Sequence, residues 1–256
     1  MLPDFIIIGT QRGGTTSLYN YLSAHPKIAP ARQKEVHYFS VNYEKGLDWY
    51  ESFFPRTRGL RRRITGEASP YYIFHPHSPA RVLEICPDVK LIALLREPVA
   101  RAFSHYRHEV GLGEEPLAFE EAVAREDQRI APDVERLALD PMAEAHAHRH
   151  FSYIARGRYI EQLRNWTRYF PLERILVLRS EDLFSDPRKV FAETIRFLEL
   201  PTHELEGYQR FNAAAEIDGL TPHLRQTLGA YFRPFNEQLY GFLDRDLGWD
   251  TGGDQP

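Results

Sequence analysis

Close to its N-terminus the chain runs Asp4-Phe5-Ile6-Ile7-Ile8-Gly9 and then Thr10-Gln11-Arg12-Gly13-Gly14-Thr15-Thr16-Ser17. The first stretch is apolar at nearly every position, as a strand covered on both faces requires. Leu18, Tyr21 and Leu22 follow at helical spacing, and Pro26 closes the run. Strand, glycine-rich turn and helix in this order open an α/β fold. Two more buried-strand runs, VKLIALL at 89–95 and RILVL at 174–178, are separated from it by helical stretches. That alternation predicts a central parallel sheet flanked by helices.

Between these runs, Tyr43 to Phe54 and Pro79 to Ile85 read as helices and Arg63 to Glu67 as a short strand. Tyr159 to Tyr169 is amphipathic, with Leu163 and Trp166 inward. Pro187 to Leu198 places Val190, Phe191, Ile195 and Leu198 on one face, with Pro187 suited to the first turn. A last helix runs from Pro222 into Asp244. From Glu114 to about His150 the chain is charged, Ala-rich and helical, which predicts a helical insertion or cap over the sheet. With no internal repeat or linker, a single domain over residues 1–256 is expected.

The glycine loop carries the first functional signal. Glycines between a strand and a helix let backbone N–H groups approach an anion, and the helix N-terminus adds its positive end. Thr15, Thr16 and Ser17 offer hydroxyls to the same anion. Against the nucleoside-triphosphate loop GxxxxGK[ST], Gly9, Gly14 and Thr16 fit, but Thr15 stands where the lysine belongs. The cation sits three residues earlier, at Arg12. A triphosphate loop also works with magnesium held by a carboxylate at a later strand end. Here LIALLR ends in Arg96, a cation. A magnesium-nucleotide site is therefore disfavoured, and two separate anion clusters with no metal fit better. Arg96, with Ser104 eight residues on in the following helix, forms the second cluster at a strand C-terminus, where open α/β sheets bind ligands.

Composition predicts a soluble, globular chain. The 256 residues are 43% hydrophobic and 27% charged, enough for a sizeable core and too apolar for a disordered chain. A net charge of −4 gives no sign of a nucleic-acid partner. The 27 arginines against 5 lysines match the codon bias of a GC-rich genome as well as any ligand. No apolar run reaches the length of a membrane span, and Met1-Leu2-Pro3-Asp4 carries no signal-peptide pattern. The lone Cys86 excludes an internal disulfide, so a cytoplasmic location is expected.

The chain resembles the sulfotransferases that use 3′-phosphoadenosine 5′-phosphosulfate, in particular the heparan-sulfate-type and related bacterial branches. The resemblance rests on the order and spacing of IIIGTQRGGTTSLYNYLSAHP, KEVHYF, GLDWYESFFP, ITGEASPYY, KLIALLREPVARAFSHY, RGRYIEQLRNWTRYFP, SEDLFSDP, FLEL and FRPFNEQLYGFLDRDLGW. It implies that Arg12, Gly13, Gly14, Thr15, Thr16 and Ser17 bind the 5′-phosphosulfate. It implies equally that Arg96 and Ser104 bind the 3′-phosphate. The acceptor is expected to be a glycan or small molecule bearing a hydroxyl or amine, and the oligomeric state is left open.

Sulfuryl transfer requires a base near the acceptor. Lys34-Glu35-Val36-His37-Tyr38-Phe39 supplies both a carboxylate and an imidazole. The resemblance assigns Glu35 as general base with His37 in the same cleft. In the cytosolic branch a histidine does this work, which makes His37 the rival. Arg12 stands where the family has a lysine. Its pKa above 12 suits it to charge stabilisation rather than proton donation.

Several positions depart from the heparan-sulfate pattern. Ser40 replaces its acidic residue, Glu67-Ala68-Ser69-Pro70 lacks the lysine of an EKTP-like segment, and Asp218-Gly219-Leu220-Thr221 lacks the basic nucleotide loop. Arg225 and Arg158 are candidates for the missing cations. Together these changes argue against a true heparan sulfate enzyme. The Arg56, Arg58, Arg61, Arg62 and Arg63 cluster reads as a solvated loop. His146 and His150 would converge on a helix, but without a third ligand they do not make a metal site. Trp49, Tyr50, Phe53 and Phe54 read as core and cleft wall. Two other classes compete with the enzyme reading: a P-loop kinase or nucleoside-triphosphatase, and a non-catalytic nucleotide-binding module.

Overall fold

The computed structural model describes residues 1–56, 63–209 and 220–249. In chain order the elements are β1 (Phe5–Gly9), α1 (Thr15–Ser23), α2 (Leu47–Glu51), β2 (Gly66–Ala68), α3 (Ser78–Ile85), β3 (Lys90–Leu95) and α4 (Pro98–Leu112). There follow α5 (Phe119–Ala124), α6 (Glu126–Leu139), α7 (His146–His150), α8 (Tyr159–Thr167), β4 (Ile175–Arg179), α9 (Ser180–Ser185), α10 (Pro187–Phe197) and α11 (Pro222–Leu243). The contacts divide the chain into two compact units. One is residues 1–95 with 165–213, and the other is residues 96–164 with 214–256.

The first unit holds the sheet. Its four strands lie in the order β2-β1-β3-β4 and every pairing is parallel. Phe5 pairs with Gly66 on one side and Lys90 on the other, and Leu91 pairs with Ile175. All five residues of β1 are buried, which is why its sequence shows no alternation. Leu18 and Leu22 of α1 and Val190, Phe191 and Ile195 of α10 form one apolar cluster with Phe5, Ile7, Ile92 and Leu94. Trp166 is fully buried and donates to the Ile73 carbonyl at 3.2 Å. Because β2 lies on one side of β1 and β3 on the other, the chain reverses its winding direction between β1 and β3. Ligand sites of open α/β sheets form beyond the strand C-termini at such a reversal.

The second unit is helical. Val99, Ala102 and Phe103 of α4, Phe119 and Ala122 of α5, Tyr153, and Leu228 and Phe232 of α11 share one apolar cluster. The 114–150 stretch is helical without a strand, as its composition predicts. Its first helix is built into a common core with α4 and α11.

Several boundaries differ from the sequence expectation, among them the end of α8 at Thr167 rather than Tyr169. The expected helix from Tyr43 to Phe54 divides into a 3₁₀ turn at Tyr43–Lys45 and α2, because Gly46 between them has φ 79°. The expected strand at 63–67 shifts to Gly66–Ala68, and Ile64 makes only an isolated bridge to Ile28. The β4 strand begins at Ile175 and runs through Arg179.

Candidate functional site

The glycine loop leaves β1 at the reversal point and is stitched to its neighbours by backbone. Thr10 N–H donates to the Leu94 carbonyl of β3 at 2.8 Å, and Gly13 N–H donates to the Thr10 carbonyl at 3.0 Å. From α9, Ser180 Oγ donates to the Gly13 carbonyl at 2.7 Å. A Cβ on Gly13 would stand 2.8 Å from the Leu94 carbonyl oxygen, so no side chain fits there. Gly14 takes φ 91°, which glycine adopts without steric cost. Helix α1 then begins at Thr15, with no acidic residue in its first turn and no side-chain cap. The orphan N–H groups and positive end of the helix are left for an anion. Thr15 and Ser17 are buried beneath this turn, while Arg12 and Thr16 are partly exposed. These residues fit a phosphate or phosphosulfate group.

In the same unit, Glu35 and His37 come together as the sequence predicts, with His37 Nε2 3.6 Å from Glu35 Oε2. Lys34 Nζ donates to the other carboxylate oxygen. Burial pushes the Glu35 carboxyl upward, but the hydrogen bonds and charges of His37 and Lys34 outweigh it and bring its pKa down to about 2. Glu35 is therefore ionised at neutral pH. Its side chain is 47% exposed, so an acceptor can reach it.

Both residues have positive φ, 62° at Glu35 and 54° at His37. For residues with a Cβ this costs about 1 kcal/mol or more each, so the surroundings must impose it. Glu35 N–H donates to the Ala68 carbonyl at 3.0 Å, extending β2. His37 N–H donates to Ser69 Oγ at 3.1 Å, and Phe39 N–H donates to the Tyr72 hydroxyl at 3.3 Å. The His37 carbonyl accepts from the N–H groups of Ser40, Val41 and Asn42. Ser40, at the position of the family's acidic residue, is buried and also donates its hydroxyl to that carbonyl.

Behind this turn lies a group the sequence reading passed over. Glu67 of β2 is fully buried, and its carboxylate accepts from three hydroxyls. Tyr50 and Tyr72 donate to Oε1 at 2.8 and 3.1 Å, and Ser69 donates to Oε2 at 2.7 Å. Burial raises the Glu67 pKa, and the three hydroxyls pull against it. The segment was readable only for the lysine it lacks. Tyr50 and Phe54 are buried as expected, and Tyr38 stacks on Tyr50 at 4.4 Å.

Arg96 and Ser104 lie in the second unit. The Tyr159 hydroxyl donates to the Arg96 carbonyl at 2.8 Å. Glu97 caps α4, accepting from the N–H groups of Val99 and Ala100 at 2.8 and 2.7 Å. Ser104 sits in the second turn of α4 and is buried. Of the two candidate replacement cations, Arg225 lies 4.0 Å from Glu97 Oε2, and Arg158 lies 3.6 Å from Glu161. His146 and His150 stack at 4.4 Å, facing Glu114 and Glu109 respectively. Among the described residues no group of His, Cys, Asp and Glu is arranged to hold a metal ion. Arg58, Arg61, Arg62, Asp218 and Gly219 fall outside the described residues. No helix among the described residues is long and apolar enough to cross a membrane.

A parallel sheet with a glycine-walled loop at its reversal point defines an α/β protein of the class that binds ligands beyond its strand C-termini. The sequence profile of the sulfotransferase domain matches residues 2–214, and the chain belongs to that family. It is 32% identical to mouse (Mus musculus) heparan sulfate glucosamine 3-O-sulfotransferase 6, over 97% of this chain and 74% of that protein. It is 29% identical to the membrane-associated sulfotransferase kil1 of Dictyostelium discoideum, over 98% of this chain and 67% of that protein. A sulfotransferase structure from Alicyclobacillus acidocaldarius superposes with a TM-score of 0.78 at 31% identity, covering 97% of this chain and 99% of that one. Membership of this family sets the kinase and triphosphatase readings aside.

Proposed function

We propose that the protein transfers a sulfuryl group from 3′-phosphoadenosine 5′-phosphosulfate to a hydroxyl, or an amine, of a carbohydrate or small-molecule acceptor. The observation that carries this reading is the pairing of an ionised, reachable Glu35 with His37 in the unit that also holds the glycine loop. The named activity of the 3-O-sulfotransferase relative makes a glycan hydroxyl the first acceptor to try.

The bound donor supplies an SO₃ group on a phosphate leaving group. Glu35 takes the acceptor proton as the acceptor oxygen bonds to sulfur and the sulfur–oxygen bond to the 5′-phosphate breaks. Its low pKa keeps it in the proton-accepting form, though at the expense of basicity. An acceptor hydroxyl that replaces one of its hydrogen bonds to Lys34 or His37 raises that basicity in the complex. The negative charge gathering on the leaving phosphate is met by Arg12 and by the N–H groups at the start of α1. Arg12 acts through charge alone, since guanidinium does not give up a proton near neutrality. Arg96 and Ser104 are assigned to the 3′-phosphate. Helices α5 to α7 are assigned to shaping the acceptor cleft, and residues 1–256 are read as one functional domain. A cytoplasmic setting is part of the same reading.

The ligand assignment is tested by thermal unfolding. 3′,5′-Bisphosphoadenosine should raise Tm without magnesium, corresponding to about 2.7 kcal/mol at a hundredfold excess over Kd. A magnesium-dependent rise with ATP and none with the bisphosphate would contradict it.

A further inference from the structure

We propose that buried Glu67 is a positioning residue for the transfer reaction, holding the Glu35–His37 turn in its catalytic shape through the hydroxyls of Ser69 and Tyr72. This inference rests on the function proposed above. The hydrogen bonds of the Glu67 carboxylate go to Tyr50, Ser69 and Tyr72 and none to the turn itself. Its carboxylate can only accept hydrogen bonds, so each hydroxyl around it must spend its proton there. The Ser69 and Tyr72 hydroxyls, with protons committed to Glu67 Oε2 and Oε1, present lone pairs outward. Those lone pairs receive the N–H groups of His37 and Phe39 at 3.1 and 3.3 Å. Two relays thus run from one buried carboxylate to two backbone groups of the turn. The tight φ values at Glu35 and His37 lie beside these anchors.

The Tyr72 ring also stands edge-on to the His37 imidazole, with centroids 6.3 Å apart and planes at 89°. Loss of the Tyr72 anchor therefore disturbs both backbone and ring. Tyr50 provides the internal comparison. It is as buried as Tyr72 and donates to the same oxygen at 2.8 Å, but its hydroxyl receives no N–H from the turn. A core carboxylate that merely stabilised the fold would respond alike to losing either tyrosine hydroxyl. A positioning carboxylate would transmit only the loss of Ser69 or Tyr72.

The experiment compares Ser69→Ala, Tyr72→Phe and Tyr50→Phe in the full chain. The probe is 3′-phosphoadenosine 5′-[³⁵S]phosphosulfate, with heparan sulfate or 4-nitrophenol as acceptor. Ser69→Ala and Tyr72→Phe should lower kcat about tenfold or more, as small misplacements of catalytic groups do. Kd for 3′,5′-bisphosphoadenosine should stay within about twofold, because the glycine loop is untouched. Tyr50→Phe should keep kcat within about threefold of the parent even where its Tm falls as far. Imidazole resonances give an activity-independent readout, with the His37 signal assigned by its loss in His37→Ala. They should shift in Ser69→Ala and Tyr72→Phe and stay in place in Tyr50→Phe. Equal losses in all three variants, or unchanged kcat and His37 signals in the first two, would overturn the proposal. If the His37 signals shift as expected but the parent transfers no sulfur-35, the anchoring is upheld and the proposed function is what fails.

Discussion

Glu35 is held by opposing forces whose balance can be read from pH. Burial favours its neutral form, while His37 and Lys34 favour the carboxylate and win, leaving a pKa near 2. A carboxyl whose folded pKa lies below its unfolded value of 4.5 adds stability above pH 4.5 and loses it as pH falls toward 2. For catalysis, the kcat/KM profile of the free enzyme should show no acid limb centred near 4.5. In His37→Ala, whose partner charge and hydrogen bond are gone, a limb should move up into the measurable range. A limb near 4.5 in the parent would mean the pairing is absent in solution. Arg96 offers a second test at this scale. Arg96→Ala should weaken the bisphosphate by about 1.5–3 kcal/mol, the worth of a charge-assisted contact. Adenosine 5′-phosphosulfate, which lacks the 3′-phosphate, should bind almost unchanged. Equal losses for both ligands, measured by calorimetry, would give Arg96 another role. At this scale the sequence shows Glu35, His37, Arg12 and Arg96 by residue type and position. Glu67 stays hidden in it, because a glutamate buried under three hydroxyls is indistinguishable in one dimension from an exposed one.

Among the elements, α6 and the segment after α7 are joined by another buried carboxyl. Glu126, at the first position of α6, accepts from the N–H groups of Ile154 and Ala155 at 2.6 and 2.7 Å. Burial outweighs those bonds and lifts its pKa to about 7. A carboxyl whose folded pKa is raised holds its proton longer in the folded state than in the unfolded one. Stability from this group therefore falls as pH rises from 4.5 to 7, on the order of 3 kcal/mol in total. His148 works in the opposite sense. Burial and Arg156 depress its pKa to about 3, so its share of stability falls as pH drops from 6.5 toward 3. Subtracting the unfolding curve of Glu126→Gln from that of the parent should isolate the first effect. A difference that does not change between pH 4.5 and 8 would contradict it. The elements themselves were largely legible. Continuous apolar runs mark β1, β3 and β4, and helical spacing marks α1, α10 and α11. The break at Gly46 was not legible, because a glycine's φ is set by the turn around it. Nor was the start of β2, whose three residues are fixed by pairing with Phe5, Ile6 and Ile7 rather than by their own pattern.

For the whole molecule, family membership establishes sulfuryl transfer, and the residues of this chain narrow how it is done. The glycine loop at the sheet's reversal point is proposed as the anion cradle, and the Glu35–His37 pair in the same unit is proposed to supply the base. The departures from the heparan-sulfate pattern fall at Ser40, at Ala68 where its lysine is missing, and at Asp218 and Leu220 in place of its basic nucleotide loop. The central claim is that Glu35 removes the acceptor proton. Transfer of sulfur-35 from the labelled donor to heparan sulfate or 4-nitrophenol, compared across the parent, Glu35→Gln and His37→Ala, tests it directly. Glu35→Gln should lower kcat about 10²- to 10⁴-fold with bisphosphate affinity nearly unchanged. His37→Ala should cost less in kcat and more in acceptor KM. An active Glu35→Gln beside an inactive His37→Ala would contradict the account and make His37 the base.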